Sequence, residues 1–181
     1  MLIGCEKSGR LRNLMLEKGH NAISCDIEKN EKGGPHIKGK IEEILGEGWD
    51  MIIAFPPCTW LTYTNWRANK NNYEIYKAYK LVKQILETPC SKIAIENPRN
   101  NRLTKIIGQY DQWIQPYWFG DDYSKPTGIW KKGLKDLKKT KIVKPKWIIK
   151  GNNKYSKIVW NKKNRSIIGM GTLTAIANQW G

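Results

Sequence analysis

Short apolar blocks alternate with longer amphipathic segments along the first hundred residues. Apolar runs of a few residues, bounded by glycine, proline or charged residues, predict buried strands, and segments with apolar residues at helical spacing predict helices. The predicted strands are Met1–Cys5, Ala22–Asp26, His36–Lys38, Asp50–Ala54 and Lys92–Glu96, and the predicted helices are Leu11–Gly19, Ile41–Leu45 and Tyr73–Leu86. Strands and helices in this order indicate right-handed βαβ units and a parallel sheet.

Beyond Asn100 the apolar pattern is less regular and predicts fewer elements. Trp113–Phe119 and Thr127–Trp130 are predicted strands that close one sheet edge as an antiparallel pair, and Thr172–Trp180 is a predicted final helix. We therefore expect one α/β domain with a mostly parallel, Rossmann-like sheet in a three-layer αβα arrangement. Residues 1–130 would form the core, and residues 131–181 a basic segment packed on the same domain.

Length and composition agree with a single folded domain. The 181 residues suit one core of ordinary size, and 40% hydrophobic with 27% charged residues exclude a wholly disordered chain. Four cysteines lie at wide, unequal intervals without a CxxC pair, which argues against a disulfide framework or a zinc ribbon. No apolar run approaches the roughly 18 residues of a membrane span. We expect a reducing, cytoplasmic setting in a bacterial or phage-infected cell, with no membrane partner and no metal.

The net charge of the chain is strongly positive and is concentrated in one segment. The chain carries 32 Lys and Arg against 16 Asp and Glu, a net charge of +16, and +13 of it lies between Lys131 and Arg165, where the one acid is Asp136. A field of this sign attracts polyanions, of which nucleic acid is the commonest in cells. The alternative is compositional drift toward solvated lysines. Concentration in one segment favours a nucleic-acid surface.

Polar residues gather where the first two predicted strands end. Open parallel sheets bind ligands at the carboxyl ends of their strands, near the switch in strand order. Residues 6–9 after the first strand form a short turn that suits close approach of a ligand to a helix N-terminus, or equally a helix start capped by Ser8. Asp26, which ends the second strand, could bind ribose hydroxyls or be a solvated loop acid. Together the two ends favour a nucleotide-like ligand.

Two other strand ends carry candidate catalytic side chains. Pro56 and Pro57 fix the backbone before Cys58, and a thiol held there is a candidate nucleophile, the alternative being a small buried cysteine. Glu96 ends an apolar strand, where a lone charge is costly. Its carboxyl group could therefore serve as a proton donor, or it could cap a loop amide. A thiol and an acid at neighbouring strand ends suit addition to an electron-poor ring.

Taken in order from Leu2 to Trp180, these residues resemble the cytosine-C5 DNA methyltransferase family, especially its short, phage-type members. Phe55-Pro56-Pro57-Cys58 is similar to the family's Pro-Cys nucleophile motif, and Glu96-Asn97-Pro98 to its Glu-Asn-Val motif. Residues 5–9 and 25–28 occupy the places of the S-adenosylmethionine loop and the ribose-binding acid. The resemblance implies a methyltransferase sheet and a cofactor site formed by Glu6, Ser8, Gly9, Asp26, Ile27 and Pro56.

The resemblance also implies a covalent mechanism on DNA. The Cys58 thiolate would add to C6 of cytosine while protonated Glu96 donates to N3, so that C5 takes the methyl group; loss of the C5 proton and β-elimination would follow. The base would be flipped out of a duplex or already single-stranded. Substrate contacts would come from Pro57, Asn97, Pro98, Lys125 and Thr127, the last two replacing a Gln-x-Arg-x-Arg motif that the chain lacks.

Departures from the family keep two alternatives open. Lys40 stands where the family usually has an acid, and no long target-recognition domain is present, so recognition would be minimal, come from the basic segment or belong to a partner protein. One alternative is a degenerate methyltransferase fold that binds nucleic acid without catalysis, its tryptophans stacking on unpaired bases. The other is an amino-methyltransferase acting on DNA, disfavoured because Cys58 replaces the aromatic residue of its Pro-Pro motif.

Overall fold

A computed structural model describes residues 1–63, 71–146 and 167–181. In these ranges seven strands form one sheet: β1 (Leu2–Gly4), β2 (Ile23–Asp26), β3 (His36–Lys38), β4 (Met51–Ala54), β5 (Lys92–Pro98), β6 (Gln112–Ile114) and β7 (Thr127–Lys132). The helices are α1 (Arg10–Glu17), α2 (Asn72–Glu87), α3 (Leu103–Ile106) and α4 (Met170–Trp180). Short 3₁₀ turns lie at Ile41–Glu43 and Pro116–Trp118. None of the described helices is both long enough and apolar enough to cross a membrane.

The strand order is β3-β2-β1-β4-β5-β7-β6. Strands β1 to β5 run parallel, and β7 lies antiparallel between β5 and β6. The order reverses between β1 and β4, which makes their carboxyl ends the switch point where ligands bind in open sheets. The expectation of an α/β fold with a mostly parallel sheet is confirmed, and the strand order is compatible with a Rossmann-like fold.

Side chains alternate between the two faces of the sheet and build a core on each. Ile3 and Ile53 pack with α1 and α4 on one face, whereas Leu2, Ile52 and Ile93 pack with α2 on the other. All five are at most 1% exposed. Continuous apolar runs in β1 and β4 therefore reflect strands buried on both sides, as parallel sheets require.

Two predicted elements differ from the structure, and one observed helix was not predicted. The predicted helix Ile41–Leu45 is a single 3₁₀ turn. The predicted strand 113–119 ends at Ile114, because Pro116 has no N–H for the ladder and begins a 3₁₀ turn instead. Helix α3 was not predicted, since its four residues are too few to show a helical period.

The lysine strip is defined here as residues 131–146. Its first two residues end β7, and the remainder has no regular secondary structure but is fixed through its backbone. Gln112 exchanges two hydrogen bonds with the backbone of Leu137, at 2.8 and 2.9 Å. Gln179 does the same at Lys138, at 2.7 and 2.8 Å. The strip's backbone is thus held, while all of its lysines except Lys131 are exposed. The rest of the predicted basic segment, 147–166, lies outside the described residues.

A distant aspartate caps the N-terminus of α4. Asp121 accepts hydrogen bonds from the backbone N–H groups of Gly171 and Thr172, both at 2.9 Å, and from the Thr172 hydroxyl at 2.8 Å. Gly169 leaves room for this carboxylate, because a Cβ at that position would lie 2.2 Å from the Asp121 side chain. The cap satisfies helix N–H groups that have no partner within the helix.

Asp121→Ala is expected to lower the free energy of unfolding by about 2 kcal/mol, since it removes the α4 cap. Urea denaturation measures the loss. Asp122→Ala is the matched control, because Asp122 is exposed and its side chain pairs with Lys146 at 2.5 Å on the surface. The control should cost less than about 0.5 kcal/mol. Equal losses in the two variants would contradict a capping role for Asp121.

Candidate active site

The turn that carries Cys58 starts at the switch point. The backbone N–H of Phe55 donates to the carbonyl of Gly4 at 3.0 Å, so β4 stays paired with β1 up to the turn. Pro56 is buried, Pro57 is exposed and Cys58 is half-buried. The Cys58 carbonyl accepts from the N–H groups of Leu61 and Thr62, both at 3.0 Å. The thiol therefore lies on a compact turn at the carboxyl edge of the sheet.

A buried amide network joins this turn to the end of β5. The Asn97 side chain donates to the carbonyl of Pro56 at 2.9 Å and accepts from Asn101 at 2.9 Å. The Asn101 oxygen in turn accepts from the backbone N–H of Leu103, at the start of α3, at 2.8 Å. Asn97 is 1% exposed and Asn101 is fully buried. Asn97, predicted to bind substrate, thus acts on the Pro-Pro-Cys turn, and Asn101 is a positioning residue that the sequence did not indicate.

Glu96 and Lys125 meet at the same edge. Ala54 pairs with Ile95 in the sheet, so the chain segments that follow them, with Cys58 and Glu96, leave adjacent strands. Lys125 Nζ lies 3.8 Å from Glu96 Oε1, with 22% of the lysine side chain and 16% of the glutamate side chain exposed. Pro98 and Thr127 are neighbours across β5 and β7. The structure therefore brings Glu96, Pro98, Lys125 and Thr127 together.

A small cavity between the sheet and α4 lies beside Glu96. Its lining is mostly apolar, with polar groups from Glu96, Tyr123, Lys125, Thr127 and Thr172. Burial raises the pKa of Tyr123, and the nearby Asp121 carboxylate raises it further, so this phenol keeps its proton and remains a hydrogen-bond donor.

The loop between β6 and β7 is held by a residue that the sequence did not indicate. Gln115 Oε1 accepts hydrogen bonds from the backbone N–H of Lys125 at 3.0 Å and from the Ser124 hydroxyl at 3.2 Å. Thr127 Oγ1 donates to the carbonyl of Lys125 at 3.0 Å. These bonds fix the backbone that carries Lys125. Gln115 is buried, and a lone glutamine after an apolar strand gives no signal of this role.

The cysteines differ in their surroundings. Burial raises the pKa of Cys25 to about 11, with the Asp26 carboxylate adding to the effect, and raises the pKa of Cys5 further for the same reasons. Cys90 is 2% exposed in the core. The four cysteines all lie in the described ranges and form no disulfide. Cys58 thus stands apart from three thiols kept in their unreactive, protonated or buried state.

The first turn uses most of its side-chain polar atoms internally, although the buried Glu6 Oε2 makes no hydrogen bond with the described residues. Glu6 Oε1 accepts from the backbone N–H of Leu11 at 3.0 Å and from the Ser8 hydroxyl at 2.9 Å, so Glu6 caps α1. Gly9 has a left-handed backbone, with φ of 65°, and a Cβ there would lie 2.2 Å from the Arg12 guanidinium. Both residues therefore shape the turn. Toward a ligand this segment offers its backbone.

The end of β2 has side-chain groups that are available to a ligand. Asp26 Oδ1 accepts from the backbone N–H of Glu28 at 2.9 Å, and its other carboxylate oxygen makes no hydrogen bond with the described residues. Ile27 is 68% exposed beside it. Lys7, on the first turn, pairs with Glu28 at 2.6 Å, which draws the loop after β2 toward the first turn. An exposed apolar side chain next to an available carboxylate oxygen suits a nucleoside.

Arg12 is a fully buried clamp behind these two turns. Its guanidinium donates to Ser24 Oγ at 2.8 Å, to the carbonyl of Pro35 at 3.3 Å and to the carbonyl of Gly33. It therefore ties α1 to β2 and to the loop that precedes β3. Arg12 is 0% exposed, although its place on the apolar side of an amphipathic helix does not predict an arginine.

Glu6→Gln is expected to change how stability depends on pH. Burial raises the pKa of Glu6 above its ordinary value of 4.5, although the Leu11 and Ser8 hydrogen bonds oppose the shift. A raised carboxyl pKa stabilises the fold below the ordinary value, and this contribution is lost as pH rises through the folded-state pKa. The stability of the Gln variant relative to wild type should therefore increase between about pH 4 and about pH 7.

Urea unfolding at the two pH values tests this, with Glu17→Gln as the control because Glu17 is exposed on the same helix. The control variant should show no such gain. If Glu6→Gln and Glu17→Gln follow wild type in parallel across the range, the Glu6 carboxyl is not destabilised by its burial.

Comparison with protein-family models finds no match to this chain, and comparison with curated proteins finds no significant relative. Within residues 1–63, 71–146 and 167–181, no group of three or more His, Cys, Asp or Glu side chains could hold a metal ion. The function is therefore inferred from the geometry at the carboxyl ends of β4 and β5.

Proposed function

We propose that this chain transfers a methyl group from S-adenosylmethionine to C5 of cytosine in DNA. The observation that supports this most is the 2.9 Å hydrogen bond from Asn97 to the Pro56 carbonyl, which couples the Pro-Pro-Cys turn to β5, the strand that carries Glu96. Reaction at C6 and N3 of one ring requires a thiol and an acid held in fixed relation. The resemblance to cytosine-C5 methyltransferases supplies the chemistry, and the buried amide network supplies this rigidity.

The residues at the edge have separate roles in this proposal. The Cys58 thiolate forms a bond to C6, and Glu96 delivers a proton to N3, so electron density moves to C5. Lys125 and Thr127 lie beside Glu96 and would hold the polar edge of the ring. Once C5 carries the methyl group, its proton leaves to a base, the C6–S bond breaks to release the Cys58 thiolate, and the N3 proton returns to the Glu96 carboxylate, which restores the aromatic ring. The half-buried Cys58 would meet the base at the mouth of the site.

The cofactor residues fit a nucleoside with a charged tail, and S-adenosylmethionine would supply an electrophilic methyl group there. Asp26 has a carboxylate oxygen available for ribose hydroxyls, and Ile27 offers an exposed apolar surface to the adenine. Backbone N–H groups before α1 would bind a carboxylate. Glu6, Ser8 and Gly9 would act by shaping this turn rather than by direct side-chain contact. Pro56 borders the site from the β4 side.

Nucleic-acid binding without catalysis is the second candidate, and the lysine strip favours it. The strip contains eight lysines and one acid, Asp136, in sixteen residues. Such a surface binds polyanions with or without chemistry nearby. The two candidates share the DNA partner, so only a chemical assay separates them.

Transfer of tritiated methyl groups from S-adenosylmethionine to DNA tests the proposal. Single-stranded and duplex substrates are offered at low salt, and the products are digested to nucleosides. We expect label in 5-methylcytosine and none with a substrate that lacks cytosine. Label in an N-methylated base would favour amino-methylation. Absence of label with both substrates would contradict the proposal and leave binding alone.

A further inference from the structure

Two cations and two tryptophans form a continuous stack at the β6 edge of the sheet. The Arg99 guanidinium lies 4.8 Å from the ring centroid of Trp113. The Trp113 and Trp118 centroids are 4.8 Å apart, and Lys139 Nζ lies 4.2 Å from the Trp118 centroid. The rings are half-buried, and both cations are exposed. We call Arg99, Trp113, Trp118 and Lys139 the cation–aromatic column.

The column connects the candidate active site to the lysine strip. Arg99 follows Pro98 directly, and its backbone N–H donates to the carbonyl of Pro126 at 3.0 Å, in the loop that carries Lys125. At the other end, the carbonyl of Trp118 accepts from the N–H groups of Thr140 and Lys141 at 3.1 and 3.2 Å. The backbone of the column is therefore fixed at both ends by hydrogen bonds.

Most lysines of the strip have no acidic partner. Lys131 pairs with Asp136 at 2.9 Å and Lys146 with Asp122 at 2.5 Å. The other six lysines of the strip form no ion pair within the described ranges: Lys132, Lys135, Lys138, Lys139, Lys141 and Lys144. The undescribed ranges 64–70 and 147–166 contain no Asp or Glu that could pair with them. Their positive charge is available to an anionic partner.

We propose that the column and the lysine strip bind single-stranded DNA beside the base that enters the active site. Unpaired bases would stack on Trp113 and Trp118, and Arg99, Lys139 and Lys141 would bind the flanking phosphates. The strand would run from the strip along the column to the Cys58–Glu96 edge. This inference rests on the proposed function for its direction, because that function supplies the DNA and the unpaired cytosine.

Physical chemistry favours a single strand over a duplex. Aromatic rings stack only on bases whose faces are open, and base–aromatic stacking is tolerant of sequence because every base has a π-face. Lys139 is exposed over Trp118 and is held weakly, so an incoming base displaces it at little cost. Arg99 also donates from Nε to the Tyr110 hydroxyl at 2.8 Å, which keeps it beside Trp113. Both cations remain close enough to pair with the phosphates. A duplex would contact only the lysines.

Fluorescence anisotropy with a labelled oligonucleotide tests the proposal without cofactor. The double variant Arg99→Gln/Lys139→Gln should weaken binding of single-stranded DNA about tenfold and lower the salt slope by about one to two. The matched control, Lys80→Gln/Lys83→Gln, removes the same charge from exposed positions on α2 and should stay within about twofold of wild type. Trp118→Leu should weaken single-strand binding but not duplex binding.

Several results would overturn the inference. Equal losses in the column variant and the α2 control would mean that only net charge matters, and tighter binding of duplex than of single strand would exclude a stacking surface. If Trp118→Leu fails to fold, Arg99→Gln/Lys139→Gln still tests the inference, because it changes only exposed side chains. Methyl transfer is measured in a separate assay. If the wild type transfers methyl groups and the column variant binds single-stranded DNA as tightly as the wild type, the inference is contradicted but the proposed function is not. Column-dependent binding without transfer contradicts the proposed function alone.

Discussion

Cys58→Ala is expected to abolish methyl transfer to cytosine, lowering the rate at least about a thousandfold, and to remove the covalent adduct with 5-fluorocytosine DNA. The fluorine blocks loss of the substituent at C5, so a bond from the nucleophile to C6 persists and can be seen as a shifted band on a denaturing gel. The hydrogen bonds of Asn97 and Asn101 hold the turn through the Pro56 carbonyl and are present whichever side chain stands at position 58. The variant should therefore keep its fold and lose only the chemistry.

Alkylation provides an independent measurement on the wild-type protein. Iodoacetamide reacts with thiolates, and the pKa of Cys25, raised to about 11, together with the raised pKa of Cys5 and the burial of Cys90, disfavours reaction at these three sites. Peptide mapping of the native protein should find the label at Cys58, and denatured protein should be labelled at all four. An adduct with 5-fluorocytosine DNA that survives in Cys58→Ala would place the nucleophile elsewhere.

Arg12→Met is expected to lower the free energy of unfolding by about 3 kcal/mol or more. Methionine fills most of the volume, but the hydrogen bonds from the guanidinium to the Ser24 hydroxyl and to the Gly33 and Pro35 carbonyls would be lost. Hydrogen bonds from a charged donor contribute about 1.5–3 kcal/mol each. The loop before β3 should also become more accessible, which limited proteolysis measures.

Arg10→Met is the matched control for this prediction. Arg10 begins the same helix and is half-buried, and its side chain makes one long contact, 3.5 Å from Ser8 Oγ. Its replacement should cost less than about 1 kcal/mol. If the two variants lose the same stability in urea denaturation, Arg12 contributes only its packing volume, and the buried hydrogen bonds make no net contribution.

The sequence predicted the strands well where burial alone decides their pattern. Both β1 and β4 lie between two helical layers, so every residue in them is apolar and the signal is continuous. The short edge strand β3 was also predicted, at its observed bounds. The turn at Pro116 and the four-residue α3 were not, because single turns depend on local hydrogen bonds that have no period.

The sequence indicated the candidate catalytic residues but not the residues that hold them, for a related reason. The resemblance brought out Cys58 and Glu96, which lie at adjacent strand ends in the structure. The contacts that hold them join residues far apart in the chain: Asn97 reaches Pro56 across 41 positions, and Asp121 reaches α4 across 50. No short motif records such a pairing. A short motif can also have a purely structural explanation. The spacing of Glu6, Ser8 and Gly9 suggests a ligand-binding turn, but these residues also cap α1 and make room for Arg12.

The reversed direction of β7 has a consequence for how the molecule can diversify. Because β7 runs against β5 and β6, the connection 115–126 between β6 and β7 returns at the carboxyl edge, beside Glu96, rather than crossing the sheet. Substitutions at the exposed positions of this connection would alter the surroundings of Glu96 without shifting any strand, as long as Asp121 is kept to cap α4. The hairpin is therefore the part of the fold where the walls of the candidate site can change while the parallel sheet stays constant.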